Sequence, residues 1–148
     1  MIRSVPDTNI WLASIRWRGL PYQIRNLGEA GEIQLLTSLN ILSELTRVLR
    51  EYFNFPDEIA YEWYQRIAFY SELISPKRFI NAVPNDPDDN KFAECAVEGE
   101  ADYIISRDKD LLQIGEYNGI LMVNDAAFMA ALETEGDDSS EGSGLPGI

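Results

Sequence analysis

Four short acidic segments carry the residues best suited to chemistry: Asp7-Thr8-Asn9, Ser43-Glu44-Leu45, Asp86-Pro87-Asp88-Asp89 and Ser106-Arg107-Asp108-Lys109-Asp110. Carboxylate oxygens are hard ligands, and Mg²⁺ is commonly held by a few of them while keeping several waters. Two such ions side by side can stabilise both the attacking and the leaving oxygen of a phosphodiester without any imidazole. That matters because the chain has no histidine. Ser-His-Asp and Cys-His catalysis, His-based RNA cleavage and every His-ligated metal site are thereby excluded. A single cysteine, Cys95, excludes an internal disulfide and a Cys-rich zinc site, and fits a reducing compartment.

Each segment also has an ordinary structural explanation. Asp7-Thr8-Asn9 after an apolar strand is a common Asx turn. Glu44 borders the apolar stripe of Ile41 and Val48, where a solvated helical glutamate is routine. Asp86 at an N-cap, Pro87 at the first helical position and acids behind it make a good helix start. Asp108 and Asp110, mixed with Arg107 and Lys109, read as an exposed charged turn. Asp89 fits its explanation least. It lies three, four and seven residues before Phe92, Ala93 and Ala96, on the stripe that should face a sheet. A carboxylate aimed there is costly unless paired or bound to a cation.

The elements that must position these residues alternate. Residues 1–5 read as a strand ending in a polar turn at Asp7-Thr8-Asn9. A helix follows from Gly19-Leu20-Pro21 to about Gly28, then a strand over 33–37. Ser38 is a good N-cap for a helix to about Tyr52. A helix over 56–76 carries Ile59, Trp63, Ile67, Tyr70 and Ile74 along one stripe. A strand over 78–83, a helix from Asp86 to Gly99, a strand over 103–105, a turn or short helix over 108–112, a strand over 119–123 and a helix over 126–132 complete the pattern. Such alternation predicts an α/β fold, a three-layer α/β/α sandwich with a central parallel sheet and right-handed crossovers. Ligands in such sheets sit at the C-terminal strand ends, near a topological switch point. Asp7 follows the first strand, Asp108 follows the strand ending at Ser106, and Asp89 opens the helix that leads into that strand.

At 148 residues the chain suits one domain, able to bury roughly 68–70% of its unfolded surface. Residues 1–133 form the expected folded unit, and 134–148, rich in Gly, Ser, Asp and Glu, the expected disordered tail. The net charge of −13 lacks the basic footprint of a strong non-specific nucleic-acid binder, but does not conflict with phosphate reached through carboxylate-held cations. Apolar runs are too short to span a bilayer and Met1-Ile2-Arg3-Ser4 lacks a signal-peptide core, so a cytoplasmic location is expected.

The four motifs in this order and at these spacings resemble the PIN-domain ribonucleases, nearest to the toxin branch of toxin–antitoxin systems related to VapC. The resemblance runs from Met1 to Leu132 and includes D-P-D-D-N-K-F, A-D-Y-I-I-S-R-D-K-D-L-L and the closing V-N-D-A-A-F-M-A-A-L. It implies an acidic site of Asp7, Glu44, Asp89 and Asp108, with Asp110 as an accessory metal ligand and Thr8, Asn9 and Ser106 as polar support. It implies Mg²⁺ or Mn²⁺ as cofactor, hydrolysis of single-stranded RNA to 5′-phosphate and 3′-hydroxyl products, an antitoxin partner and a homodimer. Pro6 departs from the family pattern, which has an apolar residue before the first aspartate. It leaves two alternatives: a strand ending by Val5, or a distorted site edge.

Two other functions compete with this one. An aspartyl-phosphate phosphatase would use Asp7 as nucleophile, although Asn9 stands where such enzymes carry a second Asp. A degraded PIN-like scaffold would only bind a protein partner. The aromatic-rich helices (Tyr52, Phe53, Phe55, Tyr61, Trp63, Tyr64, Phe69, Tyr70) offer either an interface or core.

Overall fold

The computed structural model describes residues 1–144, with side chains through Glu135. Its centre is a six-stranded sheet built from β1 (Arg3–Pro6), β2 (Gln34–Thr37), β3 (Ser71–Leu73), β4 (Tyr103–Ile105), β5 (Glu116–Tyr117) and β6 (Ile120–Val123). The order is β3-β2-β1-β4-β6-β5, parallel except for β5. The chain runs outward from β1 through β2 to β3, then returns to β4 on the other side of β1 and continues to β6. The order therefore reverses between β1 and β4, and a crevice opens beyond their C-terminal ends.

Seven helices pack against the sheet among the described residues: α1 (Thr8–Arg16), α2 (Leu20–Glu29), α3 (Leu39–Glu51), α4 (Asp57–Tyr70), α5 (Asn90–Glu98), α6 (Lys109–Ile114) and α7 (Asp125–Gly144). Right-handed crossovers put α1 to α4 on one face and α5 on the other, where it crosses β1, β2 and β4. The core between the layers includes fully buried Val5, Trp11, Leu36, Leu42, Ile104, Ile105 and Phe128. Close packing of α2 on β2 depends on Gly28, where a Cβ would lie 2.4 Å from Leu35 Cδ1.

Several expectations need correction. Asp7-Thr8-Asn9 is not a free turn: α1 begins at Thr8, with Asp7 as its N-cap. The helix expected over 56–76 stops at Tyr70, and the next three residues form the edge strand β3. Its apolar period continued past the true end because Ile74, just after β3, packs against the core. Ile59 and Tyr70, counted on its buried stripe, are exposed, while Ala60 and Ile67 are buried. The strand expected over 78–83 has no regular structure. Beyond Asp86 comes a single 3-10 turn, Pro87–Asp89, before α5, and Asp86 makes no side-chain capping bond. The expected α/β fold with its central parallel sheet holds, and only at the edge do Asn118 and Gly119, at φ 51° and 82°, turn β5 back onto β6. That Asn-Gly pair is a strong hairpin signal.

Pro6 is part of β1. Alternate residues of a strand direct their N–H groups to opposite neighbours. Asp7 N–H donates to the Ile105 carbonyl of β4 at 2.9 Å, so the donor that Pro6 lacks would have faced β2. The registered pairs with β2 end at Ser4 and Leu35, where the next ladder bond would need that donor, while the pairing with β4 runs on through Pro6 and Ile105.

The backbone of α7 continues as helix to Gly144, past the expected boundary at 133, and residues 145–148 lie outside the described residues. The proposal that 134–148 is dispensable rests on composition, since its apolar side chains are only Leu145, Pro146 and Ile148. Ending the chain after Glu133 is expected to move the Tm by less than about 2 °C. A clear fall on thermal melting would show that this segment docks.

Candidate active site

The ends of β1 and β4 are tied together by one hydroxyl. Asp7 follows β1 directly, where its Oδ1 accepts from Ile10 N–H at 2.9 Å and so caps α1. Its Oδ2 accepts from Ser106 Oγ at 2.5 Å. Ser106 follows β4, is fully buried, and its Oγ also accepts from Asp108 N–H at 2.9 Å. Asp108 in turn caps α6, accepting from Asp110 N–H at 2.8 Å. Two helix starts and two strand ends thus share one polar chain, Ile10–Asp7–Ser106–Asp108–Asp110.

Asp89 approaches from the 3-10 turn that leads into α5, and one oxygen each from Asp86, Asp89 and Asp108 lies within 4.8 Å of the others. Asp89 Oδ2 is buried and has no hydrogen-bond partner. Burial, then the charges of Asp86, Asp108 and Asp7, push the Asp89 carboxyl up to about 7, against a smaller lowering by Lys91. Asp7 is 3% exposed. Burial raises its carboxyl to about 6, although the bonds from Ser106 and Ile10 oppose the shift. Gathered carboxyls that resist ionisation are a common mark of functional sites. The donor set fits a hard divalent cation: it is all oxygen, clustered, and includes an orphaned buried oxygen that lacks any protein donor.

Of the residues expected at the site, Asp89 and Asp108 meet directly, and Asp7 reaches them through Ser106 and through its charge. Glu44 lies outside that group and pairs with Lys91. Burial alone would raise its carboxyl, but Lys91 and the nearby Thr8 hydroxyl hold it below the usual range. Thr8 Oγ1 is buried beside it without completing a hydrogen bond of its own. Asn9 is exposed. Asp110 contributes its backbone N–H to Asp108, and its carboxylate is not among the three that gather.

Two participants were not expected. Asp86 was explained as a helix cap, yet its carboxylate joins the group. The signal was its spacing: Asp86 and Asp89 stand three apart on a helical start, hence on one face. Lys91, on the same turn as Asp89, holds Glu44. Arg107 does not point at the site, because Asp125 binds it with two bonds of 3.0 and 2.6 Å. A cavity of about 840 Å³ lies elsewhere, at the N-terminal strand ends, among Ile2, Ile33, Tyr103, Leu121 and Met129.

The PIN domain family model matches residues 3–110, a span that includes Asp7, Glu44, Asp86, Asp89, Ser106 and Asp108. No curated protein matches the sequence as a relative. Solved structures share the fold, among them the following. VapBC2 from Rickettsia felis, bound to a DNA fragment from its promoter, is 14% identical, with 83% of this chain and 98% of that chain covered and a TM-score of 0.57. PAE2754 from Pyrobaculum aerophilum is 10% identical, with 90% of each chain covered and a TM-score of 0.60. The PIN domain of RRP44 from T. brucei is 18% identical, with 95% of this chain and 86% of that chain covered and a TM-score of 0.56.

Proposed function

The chain belongs to the PIN domain family, and from that premise we propose that it is a Mg²⁺- or Mn²⁺-dependent endoribonuclease acting on single-stranded RNA. The observation that carries the reading is the convergence of Asp86, Asp89 and Asp108, with Asp89 Oδ2 buried and unpartnered. These three would hold the cation, with Asp7 beside them. The chemistry supplied by such an ion is a lowered pKa for water and neutralised charge on the phosphodiester during in-line displacement. Ser106 fixes Asp7 and the Asp108 loop relative to one another, so the two strand ends present their carboxylates as one rigid edge. Lys91 holds Glu44 ionised next to that edge.

The phosphatase alternative is poorly served by the geometry. Both Asp7 oxygens are engaged and the residue is buried, so neither is presented for in-line attack on a phosphate. The scaffold alternative loses its main argument, since Pro6 stays in β1 in register with Ile105 of β4, and Asp7 after it keeps its backbone bond to that strand.

A toxin role with a protein antitoxin draws support from the VapBC2 neighbour and from the exposed aromatics Tyr52, Tyr61 and Phe69 on and after α3 and on α4. The same surface suits a second copy of the chain. No described helix is long and apolar enough to cross a membrane, and a cytoplasmic location belongs to this reading. The test is incubation of purified protein with mixed single-stranded RNA. Cleavage to 5′-phosphate products is expected with Mn²⁺ or Mg²⁺ and should stop in EDTA. Cleavage that persists in EDTA would overturn the metal dependence, and no cleavage of any RNA would return the scaffold.

A further inference from the structure

Twelve basic residues serve a chain of charge −13, and most are already occupied. Arg3, Arg25, Arg47, Arg50, Arg66, Lys91 and Arg107 are in salt bridges. Arg16 lies over the Trp17 and Phe53 rings and Arg18 over Tyr22. Among the described residues, those that neither pair nor stack are Lys77, Arg78 and Lys109. All three follow the C-terminal end of a strand, Lys77 and Arg78 after β3 and Lys109 after β4. Lys77 and Arg78 share a hollow with Lys91, the partner of Glu44, which brings their charge to the border of the acidic site.

Phe79 stands next to Lys77 and Arg78 and is fully exposed. Its segment lacks regular structure but is anchored: Ile80 N–H donates to Glu94 at 3.0 Å, Val83 N–H donates to Asn90 at 2.8 Å, and Val83 is buried. The ring lines two adjoining hollows. One, about 260 Å³, also has Lys77, Arg78, Asn40 and Lys91, and its single acid, Glu94, already accepts from Ile80. The other, about 640 Å³, runs along Pro87, Asp88 and Asn90 at the start of α5, beside Asp89. An exposed ring flanked by unpaired cations is a costly surface for a lone protein to keep. It suits a polymer with alternating phosphates and flat bases, because base–aromatic stacking tolerates any sequence while cations follow the backbone.

We infer that Lys77, Arg78 and Phe79 form a positioning platform for single-stranded RNA, with Phe79 stacking one base beside the acidic site and the two cations holding neighbouring phosphates. The inference deepens the nuclease reading and rests on it for the class of ligand. None of the three residues touches the gathered carboxylates, so they act on binding and register rather than on the chemical step.

The experiment measures the affinity of the full chain for a fluorescein-labelled, mixed-sequence twelve-nucleotide RNA by anisotropy in EDTA, together with KM and kcat in Mn²⁺. Phe79→Ala is expected to weaken binding roughly five- to hundredfold, the range of one lost stacked base, with Tm unchanged because the ring is exposed. Phe79→Trp should restore affinity. The double change Lys77→Ala, Arg78→Ala should lower the slope of log affinity against log salt by about 1.4, at about 0.7 per phosphate contact. KM should rise with kcat little changed. Wild-type affinity in both variants would overturn the platform and leave the nuclease reading standing. A protein that binds through these residues yet never cleaves would support the platform and sink the nuclease. No affinity of the wild type for the RNA would overturn the platform and leave the face to a protein partner.

Discussion

Asp89→Asn is expected to lower RNA cleavage by about 10²–10³-fold, the usual loss when one group acting on developing charge is removed, while raising rather than lowering the Tm of the metal-free protein. The two effects have one cause. In the folded chain the Asp89 carboxylate is desolvated and faces Asp86, Asp108 and Asp7. Neutralising it removes that repulsion, and an amide of the same shape can donate to the neighbouring carboxylates. Phe92, Ala93 and Ala96, buried on the same helix, keep their packing. For a chain of this length each kcal/mol gained raises Tm by about 2–4 °C. Mn²⁺ changes the order of the two proteins. A ligand that binds only the folded state stabilises it, by about 2.7 kcal/mol at a hundredfold excess over its Kd. Wild type should gain that increment and Asp89→Asn much less of it. If Asp89 served only the helix start, its loss would weaken a favourable dipole interaction and lower Tm in EDTA, with no metal response in either protein. Melts of both proteins in EDTA and in Mn²⁺ separate the cases. An equal metal response in the two would remove Asp89 from the site.

Much of this arrangement is legible in residue types alone. The strand positions of 3–6, 34–37 and 103–105 follow from short apolar runs between polar caps, and Ser38 does cap α3 through its hydroxyl. The helix α1 is hidden because Asp7 does two jobs at once. Its Asx-turn appearance is real, but the same carboxylate also accepts from Ser106, a contact ninety-nine residues away that no local pattern reveals. β3 is hidden because an exposed edge strand of three residues has too few positions to show a period of two. Asp86 is obscured by a good local explanation. A residue suited to capping is free to do something else when the turn it starts is 3-10 and its side chain makes no capping bond. Glu44 shows the converse. Its border position was visible, but whether it meets the other carboxylates or a lysine depends on where the start of α5 meets α3, which is tertiary information.

The pH dependence of metal-free stability should run opposite to that of the metal-loaded protein. Asp7 and Asp89 have folded carboxyls raised from 3.8 to about 6 and about 7. Below the unfolded value both states hold these protons, so the fold bears no penalty. Between it and the folded values the unfolded chain has released protons that the folded chain retains, and stability falls as pH rises. For buried Asp7 the full loss between 3.8 and about 6 is on the order of 3 kcal/mol, of which roughly 1 kcal/mol falls above pH 5. Asp89 adds to it with a smaller weight than its shift suggests, because it is only half buried. Glu29, Glu44 and Asp125 have the opposite sign: their carboxyls are held low, so what they contribute is lost only as pH falls below the ordinary carboxylate range. In EDTA the Tm should therefore drop by several degrees from pH 5 to 7.5. General repulsion in a chain of charge −13 acts in the same direction, so a matched control is needed. Asp7→Asn should flatten the slope, whereas Glu58→Gln on the exposed start of α4 removes the same charge and should leave it. With saturating Mn²⁺ the slope should reverse, since a cation selects the ionised carboxylates and binds more tightly as protons leave. An EDTA curve that rises across this range, or one that Mn²⁺ leaves unaltered, would show that these carboxyls are not held together at the cost the structure implies.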